Sequence, residues 1–192
     1  MSDYIKNKPA IKAGQGVNSI IEGGATTASG QHSHAEGYAT TASGDKSHAE
    51  GYGTTTSKFA FASHAEGRYT TASGDSSHAE GTSTIANRKS QHVFGECNIA
   101  DPSTAPSDAR GTYVEIVGNG ATSSNRSNAR TLDWSGNEVL AGNLTVGGTI
   151  TAKGQQILPQ KQADWNQATS TESDYIKNKH IVTGKQIGRA NV

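Results

Sequence analysis

A pentapeptide of the type Ser-His-Ala-Glu-Gly recurs along the first half of the chain at a nearly constant interval. Four intact copies have histidines that step by 14, 16 and 14 residues, and degenerate copies at 19–23 and 91–95 keep the 14-residue step. A second motif, Thr-Thr-Ala-Ser-Gly, lies between them at 26–30, 40–44 and 70–74, with a variant at 54–57. Regular self-similarity of this kind predicts a stacked repeat architecture.

The length of the repeat restricts what each unit can form. Fourteen residues are too few for a pair of helices, and Gly and Thr disfavour helix. We therefore predict an all-β fold, a parallel β-roll or β-solenoid of 14-residue, two-stranded coils. Six coils spaced by about 4.8 Å would give a rod about 25–30 Å tall. The longer step comes from two extra residues near Lys58, which we expect to bulge from a turn.

Alternation within the pentapeptide predicts which side chains face outward. In a strand, Ser and Ala lie on one face and His and Glu on the other. Small Ser and Ala suit a narrow interior. Ile20 replaces the first His and Phe94 replaces the last Glu, which favours a face between chains over one in solvent. We therefore predict a homotrimer whose axis is lined by a structural ladder of His34, Glu36, His48, Glu50, His64, Glu66, His78, Glu80 and His92.

Composition supports a core shared between chains. The 192 residues are 32% hydrophobic and 6% aromatic and include 23 glycines, so a lone chain has few large side chains to bury. Lys plus Arg and Asp plus Glu number 17 each, which predicts no nucleic-acid partner. Cys97 is the single cysteine, so no disulfide is expected. We also expect no membrane insertion, and the first residues lack the apolar core of a signal peptide.

The repeats resemble the head repeats of trimeric autotransporter adhesins. The stretches that follow, 91–101, 116–120, 126–129, 132–137 and 141–148, resemble a module of tail-fibre and neck-appendage proteins of phages and prophages of Gram-positive bacteria. The resemblance covers about residues 18–152. It implies a homotrimeric structural module of a phage virion, extracellular after host lysis. The partners that it implies are other copies of the chain, other phage tail or baseplate proteins, and a glycan of the host cell surface.

The same resemblance leaves two alternatives for function. The first is the head of a bacterial trimeric adhesin. The second is a self-cleaving tail-spike module, for which Ser127, Asn128 and Asp133 are candidate polar residues, although hydrogen bonding within turns is the simpler interpretation of them. The chain has no phosphate loop, HExxH motif or nucleophile elbow, so we predict no enzyme and no catalytic residues.

Four segments are predicted along the chain. Residues 1–17 form an N-terminal connector, 18–98 the β-roll head repeats, 99–152 a small β-rich knob and 153–192 a linker or connector. A short motif brackets the body, because Tyr4 and Ile5 reappear as Tyr175 and Ile176. Weak helix is possible near 160–166.

The regularly spaced histidines allow two further interpretations. Imidazole is a common ligand of zinc and nickel, so rings of His could hold metal. A hydrogen-bonded His–Glu ladder satisfies the same groups, and we favour it and predict no metal and no cofactor. Simple exposure is the third alternative. Glutamate partners would raise the pKa of His, whereas burial of the neutral form would lower it.

Overall fold

The computed structural model describes residues 11–152 and 155–157, and all regular elements in these ranges are strands. None of these residues belongs to a helix long and apolar enough to cross a bilayer. The strands are β1 Ile11–Ala13, β2 Ile20–Gly24, β3 Thr27–Ala28, β4 His34–Tyr38, β5 Thr41–Ala42, β6 His48–Tyr52, β7 Thr55–Thr56, β8 His64–Arg68, β9 Thr71–Ala72, β10 His78–Ala79, β11 Ile85–Ala86, β12 His92–Glu96, β13 Tyr113–Asn119, β14 Asn128–Asp133, β15 Glu138–Leu140, β16 Ile150–Ala152 and β17 Gln155–Ile157.

The repeats form a parallel β-solenoid, as predicted. Strands β2, β4, β6, β8, β10 and β12 lie side by side in one sheet, and β3, β5, β7, β9 and β11 form the second. Each strand pairs in parallel with the strand one repeat later, so His34 lies opposite His48 and Thr41 opposite Thr55. Six rungs in one sheet and five in the other make about five complete coils, one fewer than the repeat count suggests.

Small side chains fill the interior. Among the described residues, the buried apolar side chains larger than Ala are Val93, Cys97 and Ile116. Serines close one turn of each coil, because the Oγ of Ser33 donates to the carbonyl of Gly30 at 2.8 Å and that of Ser47 donates to Gly44 at 2.7 Å. The interior is otherwise made of two kinds of column, the alanines Ala28, Ala35, Ala42, Ala49, Ala65, Ala72, Ala79 and Ala86 and the threonines Thr40, Thr54, Thr70 and Thr84.

The corners of the coils are left-handed residues spaced by seven, with one step of nine at the insertion. Most are not glycine, and their φ angles lie between 43° and 58°. Each such residue costs on the order of 1 kcal/mol, so the stacked ladder must hold these corners in place. They are Asn18, Ala25, His32, Ala39, Lys46, Ala62, Tyr69, Ser76, Ser83, Ser90 and Cys97, with Gly53 in the same series.

The glycine of the pentapeptide has a separate role inside the strand. At Gly51 the φ angle is +105°, and an added Cβ would lie 2.2 Å from the carbonyl oxygen of Gly67 in the next coil. Gly37 and Gly81 have the same conformation and the same close approach. The coils therefore stack at their normal spacing because this column has no side chains.

The two extra residues are accommodated at one corner, as expected. Phe59 is 78% exposed, whereas Ala60 turns inward and is fully buried. The serine that follows keeps its usual contact, since the Oγ of Ser63 donates to the carbonyl of Ala60 at 3.0 Å. The insertion therefore widens a turn without shifting the register of His64 on His48.

The large sheet continues beyond the repeats. β13 adds in parallel to β12, and β14 and β15 then follow in antiparallel order. Residues up to Asn143 form one compact unit, and the hairpin of β16 and β17 belongs to a second. The connector residues Tyr4, Ile5, Tyr175 and Ile176 and the possible helix near 160–166 lie outside the described residues.

Substituting a glycine of the strand column should destabilise the solenoid strongly. Gly51→Ala places a methyl group against the backbone of the next coil in a conformation that Ala rarely adopts, so we expect the loss of several °C in melting temperature or failure to fold. Gly142→Ala is the control, since an added Cβ there meets nothing within 4 Å. Equal melting temperatures for the two variants in thermal denaturation would contradict the close approach of Gly51 to the backbone of Gly67.

Two threonines of the interior column should respond oppositely to removal of the hydroxyl. The Oγ1 of Thr54 is buried without a hydrogen-bond partner, whereas that of Thr84 donates to the carbonyl of Glu80 at 3.0 Å. We expect Thr54→Val to raise the free energy of unfolding by about 1 kcal/mol and Thr84→Val to lower it by a similar amount. Denaturant unfolding at equal chain concentration measures both free energies. A lower free energy of unfolding for Thr54→Val than for the parent would contradict a buried Thr54 hydroxyl without a hydrogen-bond partner.

Candidate functional site

The outer surface of the large sheet carries two parallel columns of polar side chains, which we call the His/Glu face. One column contains the five histidines of the repeats, and the other contains their glutamates. Parallel pairing in register is the cause, because each residue lies directly opposite its equivalent one repeat later. All nine residues of the predicted ladder lie here, together with Glu22: His34, Glu36, His48, Glu50, His64, Glu66, His78, Glu80 and His92. Their place on a trimer axis stays a prediction.

The imidazole rings stack on one another along the column. Ring centroids are 4.8 Å apart for His34 and His48, 4.9 Å for His48 and His64, and 4.6 Å for His64 and His78. The last pair, His78 and His92, is at 5.1 Å. The rings follow the strand spacing closely, so each covers much of its neighbours' faces.

The two columns approach each other without closing into a continuous hydrogen-bonded ladder. The Nε2 of His64 lies 3.2 Å from a carboxylate oxygen of Glu50, which is a hydrogen bond. Elsewhere the separations are longer, such as 3.7 Å from His34 to Glu22 and 3.8 Å from His92 to Glu80. The Nε2 atoms of His34, His48, His78 and His92 are covered and have no hydrogen-bond partner within the described part of the chain.

The carboxylates of the glutamate column affect one another's protonation. The pKa of Glu50 is raised to about 7, first because its carboxyl group hydrogen-bonds with that of Glu36 and then because it is partly desolvated. Glu66 on the other side also contributes to this rise. The column thus retains a proton near neutral pH, since adjacent carboxylates 14 or 16 residues apart in sequence repel one another.

Burial makes the inner histidines weaker bases. The pKa values of His48 and His78 are lowered, first by desolvation and then by the adjacent imidazoles, and the nearby glutamates offset this only in part. Of the two effects considered from the sequence, burial of the neutral ring therefore prevails within a single chain. Neutral imidazole with a free Nε2 lone pair can accept a hydrogen bond or bind a metal ion.

A shallow groove of about 640 Å³ runs beside the glutamate column. Its other wall is the glycine column, represented by Gly51, Gly67, Gly81 and Gly95. Bare backbone next to a row of carboxylates leaves space for groups from outside the chain. The side chains of Glu50 and His64 remain 31% and 32% exposed at this surface.

Each end rung of the His/Glu face has one apolar side chain in place of a polar one. Ile20 takes the histidine position in the first rung and is 43% exposed. Phe94 takes the glutamate position in the last rung, where its ring centroid lies 5.2 Å from that of His92. Val117 continues the same column into β13. The histidine column therefore begins with an apolar residue and the glutamate column ends with one, whereas Glu22 and His92 keep the other position of each end rung polar.

The columns also bring together potential metal ligands. Within the described residues, consecutive rungs form four His-Glu-His groups whose donor atoms lie within 4.8 Å of one another. They are His34, Glu36 and His48; His48, Glu50 and His64; His64, Glu66 and His78; and His78, Glu80 and His92. The preference for a metal-free polar ladder remains a prediction.

A polar cluster at the end of the solenoid is a feature that the sequence reasoning missed. The carboxylate of Asp101 accepts hydrogen bonds from the backbone N–H of Tyr113 at 2.7 Å and from Gln91 Nε2 at 3.2 Å. Asn98 accepts from the N–H of Ile85 at 2.7 Å. All three side chains are buried. The sequence did contain a signal for this cluster. Gln91 and Asn98 take the repeat positions of Ser77 and Thr84, 14 residues earlier, with larger polar side chains.

The residues considered for self-cleavage make local hydrogen bonds. Ser127 Oγ donates to Asn119 Oδ1 at 2.6 Å, and Asn128 Oδ1 accepts from the backbone N–H of Ile99 at 2.8 Å. Asp133 accepts from the N–H groups of the following turn, and its pKa is lowered chiefly by the hydrogen bond from Asn137. These contacts account for the polar character of the three positions as parts of turns and loops.

Comparison with known proteins adds no assignment to this geometry. No protein-family model matches the chain, and no match is found among curated proteins or solved structures.

Neutralising Glu50 should stabilise the protein at alkaline pH more than at acid pH. Because the pKa of Glu50 is about 7 in the folded chain and 4.5 as a free group, its charge destabilises the fold above pH 7, and this penalty disappears as pH falls from 7 towards 4.5. We expect Glu50→Gln to raise the melting temperature by a few degrees at about pH 8.5 and to change it little at about pH 5.

The difference between variant and parent is the measured quantity. Protonation of His48 and His78 below their ordinary pKa of 6.5 destabilises both proteins, so the comparison removes the part of this effect that does not depend on Glu50. Glu96→Gln is the control, because Glu96 is exposed in a different column. A gain from Glu50→Gln that is independent of pH, or one matched by Glu96→Gln, would contradict the shared proton.

Proposed function

We propose that this chain is a structural segment of a phage tail fibre, in which three copies associate through their His/Glu faces. Its work is to extend the fibre and hold neighbouring tail or baseplate proteins in register. The virion is then its location, and host lysis is what places it outside the cell. The observation that carries the proposal is the His/Glu face, a long, half-exposed surface with unpaired imidazole nitrogens and one apolar side chain in each end rung.

The thin interior supports association. Each rung buries alanine, serine and threonine, and a methyl group contributes only about 0.8 kcal/mol on burial. The left-handed corners add a cost at about every seventh residue. A second buried surface between chains would offset these costs without requiring larger side chains inside the coil.

The composition of the His/Glu face suits contact with another chain. Exposed Ile20 at one end and Phe94 at the other would pack against apolar neighbours. Between them, the side chains of the His/Glu face are about a third exposed, as at His34 and Glu22, and would meet polar groups of a second copy. Self-association satisfies both kinds of group with one surface.

The architecture also suits a fibre. Parallel pairing of β2 through β12 connects every rung to the next by backbone hydrogen bonds, and β13 continues the same sheet. Repeats stacked in this way extend along one direction, because each rung contacts only its neighbours. The resemblance of residues 18–152 to modules of tail-fibre and neck-appendage proteins points to the same use.

An exposed aromatic edge offers a place for contact with a host surface. Tyr38, Tyr52 and Tyr69 lie along one edge of the solenoid, with ring centroids 5.6 and 5.2 Å apart. Tyrosine rings provide both an apolar face and a hydroxyl group, which suits recognition of sugars. Binding of a host cell-surface glycan is accordingly part of the proposal.

The head of a bacterial trimeric adhesin is the second candidate, and it would assemble through the same face. The repeat motif favours both proteins equally. Genomic context separates them, because a tail-fibre gene lies among genes for other tail proteins. No catalytic role is proposed.

Measurement of mass in solution tests the assembly. Sedimentation equilibrium of the full chain, in buffer with a chelator, should give three times the chain mass of 19.9 kDa. The double variant Glu50→Lys and Glu66→Lys should dissociate, because it adds bulk and positive charge to the His/Glu face. The matched control, Thr55→Lys and Thr71→Lys, changes outward residues of the second sheet and should stay trimeric.

Two results would refute the proposed assembly. One is a well-folded monomer for the parent protein at micromolar concentration. The other is a trimer that both double variants leave intact, since the interface would then lie elsewhere.

A further inference from the structure

We propose that the His/Glu face is a binding site for divalent transition-metal ions, with zinc as the representative, and that one chain holds two ions at alternate His-Glu-His groups. The site uses residues of a single chain, so it does not depend on the trimer. The sequence predicted a purely polar ladder, and here the same side chains are proposed to act as metal ligands as well.

The donor set has the right chemistry for such ions. Imidazole nitrogen and carboxylate oxygen are both ligands of zinc, and three protein ligands plus water complete a tetrahedral site. With bonds of about 2.0–2.1 Å, ligand atoms around a tetrahedral ion lie roughly 3.3–3.5 Å apart. The His–Glu separations on this face, from 3.2 Å at His64 and Glu50 to 4.0 Å at His78 and Glu80, bracket that spacing.

Four of the five imidazole Nε2 atoms are not otherwise engaged, and that of His64 would exchange its hydrogen bond with Glu50 for a bond to the ion. The Nε2 atoms of His34, His48, His78 and His92 face the glutamate column and have no hydrogen-bond partner among the described residues. Backbone pairing fixes the spacing of the rungs, and the rings of His34 and His48 stack nearly parallel. The two imidazoles of a group would turn out of this stack so that both nitrogens, which lie within 4.8 Å of each other, reach one ion.

The glutamate column supplies a reason for a cation to bind. Glu36, Glu50, Glu66 and Glu80 line the same open groove, where each carboxylate lies beside another of like charge. A divalent ion bound between the carboxylates and the imidazoles would offset this repulsion.

Sharing of histidines limits the number of ions. Adjacent groups have one histidine in common, as His48 belongs both to the group with His34 and to the group with His64. A single Nε2 lone pair can bind one ion at a time, so two adjacent groups cannot both be filled through it. With five histidines and two per ion, at most two ions fit, and one histidine is left over.

Because the groups overlap, the number of ions bound depends on which histidine is removed. Removing His48 isolates His34 and leaves two overlapping groups, which together accept one ion. Removing His78 has the same effect at the other end. Removing His64 instead leaves two separate groups, His34 with His48 and His78 with His92, which accept two ions.

Zinc titration of the full-length, tag-free, chelator-stripped protein tests the proposal. All proteins carry His180→Gln, which removes a histidine outside the described residues. Calorimetry with zinc chloride, followed by dialysis and elemental analysis, should give two ions per chain for this parent. His48→Gln and His78→Gln should each bind one, and His64→Gln should still bind two.

His32→Asn is the external control, since His32 lies in an exposed corner away from the column and should leave two ions bound. Circular dichroism and thermal melting establish that each variant is folded before titration. His48→Gln and His64→Gln are matched to each other, because both remove a ring from the middle of the stack.

Three results would overturn the proposal. They are no saturable binding at micromolar zinc, equal loss of zinc in all three ladder variants, and loss on substitution of His32. Equal loss is what rings of histidine from three chains would give. Sedimentation in chelator reports the trimer separately, so failure of zinc binding and failure of the proposed assembly are distinguishable.

Discussion

Parallel pairing of each strand with its own repeat is the interaction on which the structure depends. Because His34 lies opposite His48 and Gly37 opposite Gly51, every position of the repeat becomes a column of like residues. Each side chain must therefore pack beside identical side chains in the coils on either side. Alanine, serine, threonine and glycine meet this requirement easily, whereas a column of glutamates meets it only by keeping a proton near neutral pH.

The same constraint explains what could be predicted from the sequence. The spacing of the histidines fixes the register, and alternation within the pentapeptide places Ala35 inside and His34 and Glu36 outside, as observed. The repeat spacing also predicted where the two extra residues lie. They widen the corner at Phe59 and leave the columns aligned. These properties follow from local periodicity, and for that reason a single sequence was sufficient.

Other features could not be read from the repeat, because they depend on contacts that periodicity does not encode. The left-handed corners include residues other than glycine, such as Ala39, Lys46 and Tyr69, since the ladders on either side dictate the backbone there. The glycine of the pentapeptide allows the backbones of successive coils to approach closely. The polar cluster of Asn98 and Asp101 depends on the returning chain at Tyr113, whose position is set by tertiary structure.

The composition of the His/Glu face is best understood from where its regularity stops. The end rungs are mixed, because Ile20 shares the first with Glu22 and Phe94 shares the last with His92. An apolar residue thus ends the histidine column on one side and the glutamate column on the other. Between them, carboxylates that repel one another lie beside four imidazoles without a hydrogen-bond partner among the described residues, and we propose that a cation, another chain, or both at different rungs relieve this imbalance.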